Sequence, residues 1–286
     1  MLRFDVITLM PELFEPHLRL GVTRRAFDSG AVRVQLWPLR DHADGPYRRV
    51  DDRPFGGGPG MVMLAEPLHR CIQAIRADRP HNDLAPLYHF TPTGRPLTQA
   101  QVREVAAGTG ALLLCARYEG VDQRLLDRHR ALDISVGDFV LSGGDLPALM
   151  LIDAVARLQP GVLNDPASHA QDSFGVEGLL EGPHYSRPEW WPLPNRQPVP
   201  CGGPGSDQSR EPGHEVNLVE PESSCSQGVP PVLLSGHHAD IQRWRRAQSL
   251  EITARRRPDL IEAARASGRL SPEDELFLSA LYTHGL

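Results

Sequence analysis

Ala111-Leu112-Leu113-Leu114-Cys115 runs without a break into Ala116-Arg117-Tyr118-Glu119-Gly120-Val121-Asp122. Five consecutive apolar residues closed off by charge and glycine read as a buried strand. Polar residues at the carboxyl end of such a strand are where ligands sit on open α/β sheets. The plainer reading of the same residues is a capped helix start with a surface ion pair.

Outward from this strand the chain alternates between two periodicities. Upstream, Thr98–Ala107 reads as a helix and Leu87–Phe90 as a strand. Leu64–Ala77 places Leu64, Leu68, Cys71, Ile72 and Ile75 at three- and four-residue spacings, an amphipathic helix. Val32–Trp37 alternates apolar and polar, and Phe4–Leu9 is a short apolar strand followed by a helix opening at Pro11. Downstream, Val136–Leu141 reads as strand or loop and Pro147–Leu158 as a strongly apolar helix. Strands separated by helices imply an α/β fold with a parallel sheet. Pro160–Arg187 is turn-rich. Residues 193–228 turn to Pro, Gly, Ser and Glu, a composition that reads as a disordered or loosely packed insertion. Ala239–Thr253, Pro258–Ser267 and Pro272–Tyr282 then read as helices of a small C-terminal domain.

Composition removes several classes of function. The chain has 286 residues and a formal net charge of −6, against a generic nucleic-acid binder but not against a local basic patch. All 30 basic residues are arginine, which excludes Schiff-base lysines and a P-loop lysine. The four cysteines show no C-x-x-C pair, so neither a zinc site nor a disulfide scaffold is expected. No apolar run is long enough to span a bilayer, and the N-terminus lacks a signal peptide's pattern, so a soluble cytoplasmic protein is expected.

Three glycine-rich segments could carry chemistry: Asp52–Met61, Cys115–Asp122 and Ser135–Pro147. Clustered glycines let backbone N–H groups approach an anion or a flat ring, and the third segment opens a helix with unpaired N–H donors. Tight surface turns are the plainer alternative. Asp172 sits in the turn-rich stretch, where a carboxylate usually caps a turn. Arg157 ends an apolar helix, where it complements the dipole. Arg243-Trp244-Arg245-Arg246 reads either as a phosphate-contacting face with a stacking aromatic or as a solvated helix face.

Taken in order, DDRPFGGGPGM (Asp51–Met61), RYEG (Arg117–Gly120), VGDFVLSGGDLP (Val136–Pro147), PGVL (Pro160–Leu163), DSF (Asp172–Phe174), PHYSRP (Pro183–Pro188) and PPVLLSGHHADIQRWRRAQ (Pro230–Gln248) closely resemble the bacterial tRNA (guanine-N1)-methyltransferase family, TrmD, of the SPOUT superfamily. The resemblance implies an α/β SPOUT-type parallel sheet with a deep trefoil knot and a small helical C-terminal domain. It implies a homodimer with its active site at the subunit interface. It also implies transfer of a methyl group from S-adenosyl-L-methionine to N1 of guanosine 37 of tRNA, next to the anticodon, which suppresses frameshifting. Divided on that pattern, residues 1–160 form the cofactor domain, 161–178 a linker, and 179–286 the tRNA-binding domain.

Residue by residue, the resemblance assigns Asp172 as general base and Arg157 as stabiliser of charge on guanine O6. Cofactor contacts fall on Thr91, Pro92 and Gly94; on Ala116, Arg117, Tyr118 and Glu119; on Ser135, Val136, Gly137, Asp138, Phe139, Val140 and Leu141; and on Gly143, Gly144 and Pro147. Substrate contacts fall on Arg53, Gly57, Gly58 and Pro59, and on Arg243, Arg245 and Arg246. A Mg2+ requirement comes with the family, but no metal-ligand set can be read from the residues. Ala116 stands where the family usually has glycine, Phe139 where tyrosine is common, and His89–Thr93 replaces a common YLSPQ. A non-catalytic RNA-binding relative and a SPOUT methyltransferase with another target are the alternative readings.

Overall fold

The computed structural model describes residues 2–80, 83–163, 172–191 and 228–283. These divide into two compact units, Met1–Val176 and Glu177–Leu286.

The first unit is built on five parallel strands in the order β2-β1-β6-β5-β7: β1 (Leu2–Thr8), β2 (Val32–Pro38), β5 (Leu87–Pro96), β6 (Gly110–Leu114) and β7 (Leu132–Ser135). The apolar run at Ala111 forms β6, buried along its whole length because strands flank it on both sides. A two-stranded hairpin, β3 (Asp51–Asp52) and β4 (Val62–Met63), carries the first glycine loop. Short helices α1 (Glu15–Arg19) and α2 (Arg24–Asp28) follow β1, and α3 (Ala65–Asp78) and α4 (Gln99–Ala107) flank β5. Helix α5 (Gln123–His129) precedes β7 and α6 (Asp145–Ala156) follows it. One face of the sheet packs α4 and α6 through Phe4, Val6, Leu113, Leu151 and Val155; the other packs α3 and α5 through Ile7, Leu112, Leu114, Ile72 and Leu125. Thr98 caps α4 reciprocally with Gln101.

Helices α3, α4 and α6 fall within two residues of their expected bounds. Val136–Leu141 is a loop, since β7 ends at Ser135. Its apolar Phe139 and Val140 are 52% and 85% exposed, so hydrophobicity there does not mark a strand. The capped helix start expected as an alternative after RYEG also forms. Asp122 accepts from the Arg124 backbone N–H, and the Arg124 side chain pairs with it at 2.6 Å.

The second unit contains α7 (Pro231–Leu234), α8 (His238–Arg256), α9 (Pro258–Ala266) and α10 (Pro272–Thr283). Leu179, Leu250, Ala254, Ile261, Ala264 and Leu278 form its core. Trp190 and Gly228 are joined in an antiparallel bridge, with Val229 N–H donating to Glu189 O at 2.9 Å. The insertion expected at 193–228 lies outside the described residues except for Gly228. Among the described residues no helix is long and apolar enough to cross a membrane.

Candidate active site

Three loops leave the carboxyl ends of the neighbouring strands β5, β6 and β7 and enclose a cavity of about 420 Å3. That size is typical of a small-molecule site, and the position is the one open α/β sheets use for ligands. The β5 wall exists because that strand slips its register against β7 between Phe90 and Arg95, so Thr91, Pro92 and Thr93 bulge into the cavity. Gly94 makes the slip feasible: a Cβ there would sit 2.4 Å from the Ile134 backbone nitrogen. Of the residues expected to hold the cofactor, all line this cavity except Gly94 and Asp138.

The second and third loops are stitched together. Gly144 N–H donates to Ala116 O at 2.9 Å, and Gly143 lies against the Arg117 side chain. Arg117 Nε and Nη2 reach Asp145 Oδ2 at 2.8 and 2.7 Å, while Thr8 Oγ1 donates to Asp145 Oδ1 at 2.5 Å. Cys115 is buried at this junction. Burial, then the Asp145 charge, pushes its thiol well above the usual range, so it is no thiolate nucleophile.

The first glycine loop is anchored beside the second. Glu119 N–H donates to Met61 O and Met63 N–H to Gly120 O, both at 2.9 Å. Gly60, at φ +77°, packs so closely on Glu119 that a Cβ would lie 2.2 Å from its Oε1. The loop's tip, with Gly57, Gly58 and Pro59, is exposed, and Phe55 beside it is 98% exposed. Arg53 is exposed at its base.

Arg157 and Asp172 are brought together outside this cavity. Arg157 Nη1 lies 2.6 Å from Asp172 Oδ2, an ion pair whose angle is not that of a hydrogen bond, and Oδ2 is shielded from solvent with no aligned donor. Arg157 is the residue after α6, whose first turn lines the cavity through Pro147. The rise of a helix places the Arg157 backbone about 15 Å beyond Pro147. Along the outer face of α6, Leu146 and Met150 are half exposed and lead through Asp153 to Arg157.

In the second unit, Arg246 is tied down by two hydrogen bonds to Asp274, at 3.0 and 2.9 Å, and by an ion pair to Glu177. Its role there is to hold α8 on α10. Arg243 pairs with Asp240, Arg245 is exposed, and Trp244 lies near Tyr185 with ring centroids 6.2 Å apart.

The cavity also contains Asp133, which the sequence reading passed over; it is joined to His89, named there only as a departure from the family pattern, at 2.8 Å, and both line the wall. Asp145, expected only as part of the glycine-rich segment before the helix, is instead the first residue of α6. Only the strand order shows that Thr8 and Arg117 converge on it. Among the described residues no group of three or more His, Cys, Asp or Glu side chains is placed to hold a metal ion.

The chain matches the family described as tRNA (Guanine-1)-methyltransferase TrmD over residues 2–200 and 215–263. It is 60% identical over 280 residues to a Leptothrix cholodnii protein named tRNA (guanine-N(1)-)-methyltransferase, covering 98% of this chain and 99% of that one. Proteins of the same name from Methylibium petroleiphilum and Thiobacillus denitrificans are 55% and 47% identical, covering 100% and 94% of this chain and 100% of each relative. On the match over most of its length and the identity to these relatives, the chain belongs to the TrmD family of tRNA (guanine-N1)-methyltransferases.

Proposed function

We propose that the three-loop cavity holds S-adenosyl-L-methionine and that the Arg157–Asp172 pair of a second copy of the chain completes the site for N1 methylation of guanosine 37 in tRNA. The activity itself, methylation of tRNA guanine at N1, is the family's. The observation carrying the composite site is that neither Arg157 nor Asp172 lines the cavity, Arg157 standing about 15 Å along α6 from the cavity-lining Pro147. A methyl group held in the cavity would then need a base brought from another copy. A partner docked on the half-exposed Leu146–Met150 stripe would bring its own pair across.

The cavity's chemistry fits the cofactor. Ile134, Val136, Leu141 and Pro147 offer apolar surface for a purine, and Asp133 and Glu119 supply negative charge toward a cationic ligand. When bound, the cofactor supplies an electrophilic methyl on a sulfonium centre. Guanine N1 carries a proton, so its lone pair becomes available only when a base takes that proton; Asp172 is that base. Negative charge then grows on O6, where the Arg157 guanidinium stabilises it. The substrate enters between two groups that pair with each other in its absence.

The chain's path supports the knot of the SPOUT fold. After β7 at the sheet edge, residues 136–144 return past β5 to the end of β6, where Gly144 meets Ala116, and α6 starts against Thr8 of β1. Flipping the guanine out of its stack is offset by contacts with the Gly57–Pro59 tip, and Arg243 and Arg245 supply phosphate contacts. The reading places the enzyme in the cytoplasm with its tRNA.

Purified protein given labelled cofactor and unmodified tRNA with guanosines at positions 36 and 37 is expected to label N1 of residue 37. A matched tRNA with adenosine at 37 is expected to stay unlabelled. Label on a ribose or on another base would overturn the assignment.

A further inference from the structure

We propose that Asp145 is a positioning residue for methyl transfer, acting through Arg117 to hold the second and third cavity loops in their cofactor-binding shape. The inference rests on the reading of the cavity as the S-adenosylmethionine site. Asp145 is 1% exposed, and a buried carboxylate is tolerated only when its charge and lone pairs are met. Here they are. Oδ1 accepts from Thr8 at the end of β1, and Oδ2 accepts from Nε of Arg117 with Nη2 close beside it. The first turn of α6 adds its dipole to the stabilisation of the negative charge.

Arg117 is just as fully used. Nη1 reaches Ser142 O and Oγ, both at 3.4 Å, and Nη2 lies 3.1 Å from Met10 Sδ. All three guanidinium nitrogens are engaged by protein, so the side chain serves the loops and leaves ligand contact to its backbone neighbours. Its stem fills the space beside Gly143, where a Cβ would come within 2.5 Å of Arg117 Cδ. The carboxylate thus joins the end of β1, the loop after β6 and the loop after β7. Two of these build the cavity. Asn in its place would lose the charge that meets Arg117; its Oδ1 could face Arg117 only with the N–H2 turned to Thr8 Oγ1, whose hydroxyl would then have to accept where it now donates.

The test compares Asp145→Asn, Asp145→Glu and Arg117→Lys with the parent chain, by calorimetric titration with S-adenosylmethionine and by steady-state methylation of tRNA. The parent is expected to bind. Asp145→Asn is expected to raise cofactor Kd and KM roughly 10- to 100-fold, with kcat at saturation and KM for tRNA changed less than about threefold. Asp145→Glu is expected to recover most of the loss. Arg117→Lys, which keeps the charge but not the fork of bonds, is expected to reproduce the Asn defect, and the two together to add nothing further. A residue that only stabilised the fold would lower Tm and leave the ratio of the two KM values unmoved. Parent-like cofactor binding by Asp145→Asn, or additive losses in the double variant, would overturn the proposal while leaving the cavity assignment standing. Absence of binding by the parent would overturn both.

Discussion

In the proposed mechanism Asp172 takes the N1 proton and Arg157 steadies the charge on O6, and substitutions at the two positions separate these parts. Asp172→Asn keeps the shape and removes the proton acceptor, so kcat is expected to fall roughly 100- to 10,000-fold while cofactor binding persists. Arg157→Ala is expected to lose about 100- to 1,000-fold by leaving the O6 charge unsupported. Single-turnover methylation checks both, and near-parent rates in either variant would remove that residue from the mechanism. Gly60→Ala probes the loop contact, since the new methyl must displace Glu119 and sit at φ +77°, a backbone region disfavoured by about 1–2 kcal/mol for other residues. Cys71 is pushed up to about 12 and Cys115 well above its ordinary value, in both cases chiefly by burial. Peptide mapping after iodoacetamide treatment of the native protein at neutral pH should find neither alkylated; label on Cys115 would mean the junction opens. The residues that composition or motif could identify were those whose role is local. Asp145 was illegible because its partners, Thr8 and Arg117, are brought to it only by the sheet order.

At the scale of elements, β6 and α6 were legible because their apolar runs are continuous and buried. Helix α5 was legible only as a possible capped start after RYEG, and strand β7 was not legible at all. The helix is seven residues long and buries only Leu125 and Leu126, and β7 reads exposed, exposed, buried, buried, with no alternation to mark it. Helix α6 has two faces with opposite expectations. Leu151→Ala on the core face should cost about 2–5 kcal/mol of stability. Met150→Asp on the outer stripe should leave the folded subunit nearly as stable but shift sedimentation toward monomer and abolish methylation. A monomeric, fully active variant would refute the composite site. Helices α3 and α5 are joined by His69 Nδ1 and His129 Nε2 at 2.8 Å, a bond that requires one ring to accept. Burial first, then His69, holds His129 below the usual histidine range. The folded value lies below the unfolded one, so this contribution is whole above about pH 6.5 and is lost as pH falls toward the folded value. Thermal midpoints at pH 7.5 and 5.5 should differ more for the parent than for His129→Gln, and equal differences would contradict the assignment.

At the scale of the whole molecule, the sheet brings the three loops together, while α6 runs from the cavity's edge to Arg157 at its far end. Alternating strands and helices were enough to infer a parallel sheet; the insertion of β6 between β1 and β5, which places the loops side by side, was not contained in any local pattern. The measurement closest to the central claim is complementation between two inactive variants, cavity-blocking Val136→Trp and Asp172→Asn. Mixed and refolded together in equal amounts, half the dimers become hybrids with one intact composite site, so methylation should return to roughly a quarter of the parent's. Persistent inactivity of the mixture, with hybrids shown to form, would contradict a site shared between two copies.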